Sequence, residues 1–297
     1  VIVPDRRGPG GNEKAGSSNR HNFLRRTASA LVLAPLAILV AYLGGWIFAA
    51  ACAATAMVVL WEWTGLMTRS DNAWRVLGLG LPALFAAAVF TQARTPAIAI
   101  ALVAVGAFLA AMTMLAPPRR DRLANAPGWA AAGIVYAAIV AICPVMLRRD
   151  PQAGFAILLV LFATVWSTDI FAYLVGRKIG GPLLWPAVSP KKTWAGAVGG
   201  LAGGVVAGSI VAYASTGTHP VVGGVLALIL SIAAQGGDLL ESAVKRRFDA
   251  KDASALIPGH GGVMDRVDGL LLAALVAVLI GVLRFGTASP AGGLLLW

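Results

Sequence analysis

Long apolar runs separated by short polar stretches set the pattern of this chain. The runs lie near residues 28–44, 46–64, 76–91, 97–115, 128–147, 154–175, 196–215, 221–240 and 269–286. They are continuous rather than alternating, which points to helices and away from a β-barrel. About 20 helical residues cross a hydrocarbon layer about 30 Å thick, and most of the runs approach or reach that length. The pattern predicts an all-α, polytopic integral membrane protein of nine transmembrane helices.

Composition agrees: 58% of the 297 residues are hydrophobic and 12% are charged, too apolar for a water-soluble domain with a polar surface. A net charge of +11 would suggest nucleic acid in a soluble protein, but here its placement matters more than its sum. With the N-terminus cytoplasmic, 20 of the 24 Lys and Arg fall in the tail and the inner loops. Arg94, Arg148, Arg149 and Arg284 alone fall outside. An even number of spans would break this agreement, so the C-terminus is expected outside, and a nucleic-acid partner is not expected. Residues 1–27 are rich in Gly, Ser and charge and read as a disordered basic tail able to touch anionic lipid heads. Cys52 and Cys143 sit in separate apolar runs and read as small packing residues, with no metal-ligand or redox spacing.

The chain changes character near residue 150. Residues 28–150 are Ala, Leu and Val rich and read as a transmembrane scaffold, whereas 151–297 combine apolar runs with acids and read as the catalytic region. Glu62, between Trp61 and Trp63, is the exception in the first half and is read as an anchor at the inner interface.

Three polar groups in the second half carry chemistry. In WSTDIFAYLVGRKIGG (166–181), Asp169, Tyr173 and Arg177 are spaced four apart and share one helix face. A carboxylate inside a span costs about 2.5–3.5 kcal/mol on insertion scales, so this one either pairs with Arg177 or lines a cavity. The loop VSPKKTWAG (188–196) offers Lys191 and Lys192 with the hydroxyls of Ser189 and Thr193, a set suited to a phosphate. A bare inner-face anchor has no use for those hydroxyl flanks.

The third group is a GGD followed by SAVKRRFDAKDASALIPGHGGVMDRVDG (242–269). A helix over 221–245 rises about 37 Å at 1.5 Å per residue, placing Asp238 near the inner interface with Ser242 and Lys245 on its face. Asp265 and Asp268, three apart, open the last span. Asp238, Asp265 and Asp268 are hard oxygen donors at span ends and candidates to converge on Mg²⁺; ions paired about 3.5–4 Å apart are the usual device of phosphoryl and nucleotidyl transfer. Asp249 and Asp252 read as partners of nearby cations. Gly259, Gly261 and Gly262 around His260 free backbone N–H groups to turn toward an anion.

At these residues the sequence resembles the phosphatidate cytidylyltransferases, also called CDP-diacylglycerol synthases. Their signature is met by Ser242, Lys245, Arg246, Lys251, Asp252, His260, Gly261, Gly262, Asp265, Arg266 and Asp268. The segment Ser189–Trp194 is similar to a second family segment, and Asp169, Tyr173, Gly176 and Arg177 to the stretch before it, so the resemblance covers about residues 166–269. Ala195 departs from it, standing where the family commonly has Glu.

The resemblance implies Mg²⁺-dependent transfer of CMP from CTP to phosphatidate at the cytoplasmic face of the cell membrane, giving CDP-diacylglycerol and pyrophosphate. It implies two metal sites with room for a monovalent cation, and a homodimer. Asp238, Asp265 and Asp268 are then expected to hold metal, with Asp265, Asp268 and Lys245 catalytic. Lys245, Arg246, Lys251 and Arg266 are expected on CTP phosphates or pyrophosphate, and Ser189, Lys191, Lys192 and Thr193 on the phosphatidate head group. Ser242, Asp252, His260, Gly261 and Gly262 complete the substrate site, His260 ordering the loop. The rivals are another lipid-phosphate enzyme, such as a polyprenol kinase or a CDP-alcohol phosphotransferase, whose Asp-Gly and Ala-Arg pattern is missing, and an ion-coupled transporter.

Overall fold

The computed structural model describes residues 31–67, 72–93, 96–114, 126–256 and 261–296. The basic tail, Gly259 and His260 lie outside the described residues. The chain is mostly helical. In order, the helices are α1 (Leu31–Leu43), α2 (Gly45–Met67), α3 (Asn72–Gln92), α4 (Pro96–Met114), α5 (Ala126–Arg148), α6 (Gly154–Ile179), α7 (Trp194–Thr216), α8 (Pro220–Arg247), α9 (Met264–Phe285) and the short α10 (Gly292–Leu295). A hairpin of β1 (Leu183–Trp185) and β2 (Ser189–Thr193) sits between α6 and α7, with Leu183 opposite Thr193 and Trp185 opposite Ser189.

Among the described residues six helices, α2 and α5 to α9, are long and apolar enough to cross a membrane. The apolar stretches Leu31–Leu43, Gly80–Val89 and Ala97–Leu109 are shorter. The described part of α1 rises about 20 Å at 1.5 Å per residue. It is broken from α2 by Gly44 and Gly45, both at positive φ. A Cβ on Gly44 would come within 2.6 Å of Arg148 Cζ. That open space admits the Arg148 guanidinium, which donates to the last-turn carbonyls of α1, Ala41 (2.5 Å) and Tyr42 (2.9 Å).

Helices α2 to α5 pack among themselves, α6 to α9 do likewise, and α5 joins the halves by lying against both α6 and α9. Lipid is as apolar as Leu, so packing between membrane helices leans on close approach of backbones. α7 shows this plainly. Its Gly196, Gly200, Gly204 and Gly208 face α6, where a Cβ on Gly200 would meet Thr168 O at 2.8 Å and one on Gly196 would meet Ala172 O at 2.8 Å. The Thr168 hydroxyl, buried there, shares a 2.7 Å hydrogen bond with Ser231 of α8.

The end of the molecule carrying the α5–α6 turn and α10 is knitted by polar groups. Arg149 donates to the carbonyls of Thr91 (2.9 Å) and Thr287, and Arg284 to that of Gly293 (2.5 Å). Buried Asp150 accepts from the amides of Gln152 (3.0 Å), Ala153 (3.0 Å) and Gly292 (3.1 Å) and from the Ser289 hydroxyl. Burial pushes the Asp150 carboxyl up, but the Ser289 hydroxyl and the three amides outweigh it and hold it below the usual carboxylate range.

Candidate active site

At the opposite end, α8 and α9 bring their polar turns together. Gly237 makes this approach feasible: a Cβ there would collide with the backbone carbonyl of Asp268 and lie 3.1 Å from Leu272 Cβ. Backbone contact at this crossing sets Asp238 beside Asp268. Helical register adds Glu241, one turn beyond Asp238 on α8. Carboxylate oxygens of Asp238, Glu241 and Asp268 lie within 4.8 Å of one another. Asp169 of α6 is in electrostatic reach of Asp238, Lys192 and Arg266. Arg177 donates to Tyr173 (2.8 Å), and among the described residues no Asp169–Arg177 pair forms.

Asp265 adjoins Glu241 but is not one of the three mutually close carboxylates. It takes Lys245 Nζ at 2.6 Å and accepts from the amides of Gly262 (2.8 Å) and Ala253 (3.2 Å). Lys245 also pairs with Glu241 at 2.7 Å, and these side chains are nearly closed to solvent, at 11% exposure for Lys245, 7% for Asp265 and 1% for Glu241. One ammonium thus bridges the Asp-Arg-x-Asp turn of α9 to α8. Gly261, at positive φ, lies so close to Asp265 that a Cβ would meet its Oδ2 at 2.7 Å. The anion to which the Gly262 amide turns is therefore the chain's own Asp265.

The lysine loop forms the second wall. Lys192 pairs with Asp238, both side chains about a third exposed, and Lys191 projects into solvent. Thr193 caps α7 by accepting from Gly196 N (3.1 Å), and partly exposed Ser189 lies on the hairpin strand. Arg246 ties the hairpin to the segment after α8, reaching the carbonyls of Val188 (3.4 Å) and Ala250 (3.0 Å). Ser242 is half-buried on α8, while Lys251, Asp252 and Arg266 are exposed at the rim.

Two further acids belong to this geometry: Glu241 is left out of the sequence reading, and Glu62 is given a different role there. Glu241 carried a signal, since it sits three residues after Asp238 in a continuous helix. Glu62 was read as an interfacial anchor, yet it is 1% exposed and accepts from Val263 N (2.8 Å), Met264 N (2.6 Å) and Ser254 Oγ (2.6 Å).

Helices long and apolar enough to cross a membrane, with three clustered carboxylates and adjoining lysines at one end, mark a membrane protein with a polar site. Comparisons with known proteins specify it further. A model of the cytidylyltransferase family matches residues 24–283. The phosphatidate cytidylyltransferase of Brucella abortus is 40% identical over 262 residues, covering 88% of this chain and 93% of that one. That of Bacillus subtilis is 40% identical over 126 residues (42% and 47% of the two chains), and that of Haemophilus influenzae 42% identical over 130 (42% and 45%). The chain belongs to the phosphatidate cytidylyltransferase family and is an enzyme, not a transporter.

Proposed function

We propose that this enzyme transfers CMP from CTP to phosphatidate, giving CDP-diacylglycerol and pyrophosphate at the cytoplasmic face of the cell membrane. A phosphate oxygen of phosphatidate forms the new bond to the α-phosphorus of CTP. The α–β anhydride bond breaks, and pyrophosphate leaves with its electron pair. Phosphatidate is already anionic near neutral pH, so the reaction has little need of a base. Its obstacle is repulsion between two polyanions.

The observation that carries this reading is the convergence of Asp238, Glu241 and Asp268 beside Lys192 and Lys245. Three hard carboxylate oxygens suit Mg²⁺, so these residues would hold it, Glu241 joining the Asp238 and Asp268 named from sequence. When bound, the ion supplies positive charge against the phosphates of CTP. Asp265, expected as a metal ligand, is assigned instead to holding Lys245 and the Gly262 loop. Lys245, Arg246, Lys251 and Arg266 are assigned to the triphosphate, with Ser242 and Asp252 beside them. Ser189, Lys191, Lys192 and Thr193 are assigned to the phosphatidate head group, on the hairpin from which a lipid in the adjoining leaflet is reached. Nine crossings with a cytoplasmic N-terminus, supported by the Lys and Arg asymmetry, and a homodimer belong to the same proposal.

The test is release of pyrophosphate from CTP by purified protein in detergent, with phosphatidate and Mg²⁺ each added or withheld. Release that requires both is expected. Release indifferent to phosphatidate, or undiminished by chelation of divalent ions, would overturn the assignment.

A further inference from the structure

We infer that Glu62, in the half of the chain remote from the signature motif, is a positioning residue that fixes α9, and so Asp268, against Asp238 and Glu241. The inference rests on the metal reading above. α9 has no capping side chain of its own, since Val263 occupies the position before its first turn. Two of its unsatisfied amides, Val263 and Met264, are taken by the Glu62 carboxylate from α2. Amide-to-carboxylate bonds at a helix N-terminus are charge-assisted and aligned with the helix dipole, which offsets the cost of burying the acid. The Ser254 hydroxyl binds the same carboxylate, so Glu62 grips the loop on both sides of residues 257–260. Gly262 permits this, because a Cβ there would come 2.6 Å from Glu62 Oε1.

A second set of contacts points the same way. Trp63, next to Glu62, donates to Trp129 O at 3.0 Å, and the Trp129 ring meets Phe248 edge-on at 5.1 Å. Phe248 is the first residue after α8. The wall made by α2 and α5 therefore holds the chain where it leaves α8 and where it enters α9, which are the two helices that carry the carboxylates. An anchor to the membrane surface would not be buried or point at backbone amides.

The experiment compares wild type, E62Q, S254A and D150N in detergent. It reads Mn²⁺ binding without substrates, thermal unfolding, and kcat and KM for pyrophosphate release. Gln keeps the shape of Glu62 but turns an NH₂ donor toward an amide or hydroxyl donor. E62Q is expected to weaken Mn²⁺ binding and lower kcat by about 10-fold or more, the usual effect of removing a group that orients ligands, with the phosphatidate KM little changed. S254A, which removes one donor and leaves the carboxylate, gives a smaller loss in the same direction and covers the case in which E62Q does not fold. D150N, at the far end, lowers the unfolding temperature without moving Mn²⁺ affinity. E62Q and S254A that bind Mn²⁺ like wild type, or D150N that loses affinity in step with its stability, would overturn the inference alone. A wild type that binds no Mn²⁺ would remove the metal reading beneath it.

Discussion

Replacing Gly237 by Ala adds one methyl group where α8 meets the backbone of α9. The new carbon would collide with the Asp268 carbonyl and stand 3.1 Å from Leu272 Cβ. To restore an ordinary C···O separation of about 3.3–3.6 Å, one helix has to withdraw by about 1 Å. Overpacking of this kind costs about 1–3 kcal/mol. Ala in a helix interior returns about 0.8–1 kcal/mol relative to Gly, so the net loss of stability is small, about 0–2 kcal/mol. Function is more sensitive, because a 1 Å misplacement of reacting groups costs about 100-fold in rate. G236A is the internal control: its Cβ meets only Leu272 Cδ2, at 3.5 Å, an ordinary contact. Steady-state pyrophosphate release and thermal unfolding of both variants are the assay. G237A is expected to be folded and slowed about 100-fold, and G236A active and no less stable than wild type. A fully active G237A, or a G236A as slow as its neighbour, would refute the idea that backbone contact sets the spacing of Asp238 and Asp268.

Removing the Asp265 charge in D265N leaves Lys245 with Glu241 alone in a nearly dry site. Breaking a buried pair costs about 3–5 kcal/mol, the lower end applying here because one partner remains, so a lower unfolding temperature is expected together with loss of activity. Wild-type stability would contradict the bridging role. At Asp150 the folded carboxyl is held below its unfolded value of about 3.9, so its contribution is fully present above that pH and is lost as pH falls through the folded value. The stability gap between wild type and D150N should therefore be full near neutral pH and close below about pH 4, as read by thermal unfolding across pH. K192A should raise the phosphatidate KM more than the CTP KM; the opposite order would exchange the two substrate assignments.

Apolar runs made the helices legible, because hydrocarbon demands continuous apolar length and backbone bonds closed within the segment. They did not mark where helices end. α8 continues to Arg247, past the apolar run that stops near 240, and α9 begins at Met264 rather than 269. Lipid contact governs hydropathy, whereas backbone hydrogen bonding governs helix ends, and the residues assigned to the site lie in the turns between the two limits. Following α8 in register past Asp238 reaches Glu241 as readily as Ser242, so that acid was within reach of sequence reasoning. Spacing alone does not separate Asp265 from Asp268; the contacts of Asp265 with Lys245 and the Gly262 amide are what the proposed assignment uses to tell them apart. Glu62 meets its donors across about two hundred residues, and nothing local announces such a partner. Pro190 argues against helix in SPKKT and points to a loop, and its pairing with Leu183–Trp185 is too short to leave an alternating pattern.

The two ends of the molecule spend their cations differently, and this bears on how the proposed substrates enter. Away from the site, Arg148, Arg149 and Arg284 are committed to backbone carbonyls at helix ends and loops, where guanidinium groups satisfy acceptors that hydrocarbon cannot. At the site, Lys192 and Lys245 instead hold carboxylates, but in unequal surroundings. Lys245 is shut between Glu241 and Asp265, so parting it from either would strand a buried charge. Lys192 and Asp238 are about a third exposed, where an ion pair is worth about 1 kcal/mol or less. Under the proposed function an arriving phosphate would take Lys192 from Asp238 at little cost and leave that carboxylate free to hold Mg²⁺. On the proposed reading, Lys192 is therefore the cation that changes partners during the reaction, while Lys245 keeps its place and holds α8 and α9 in register.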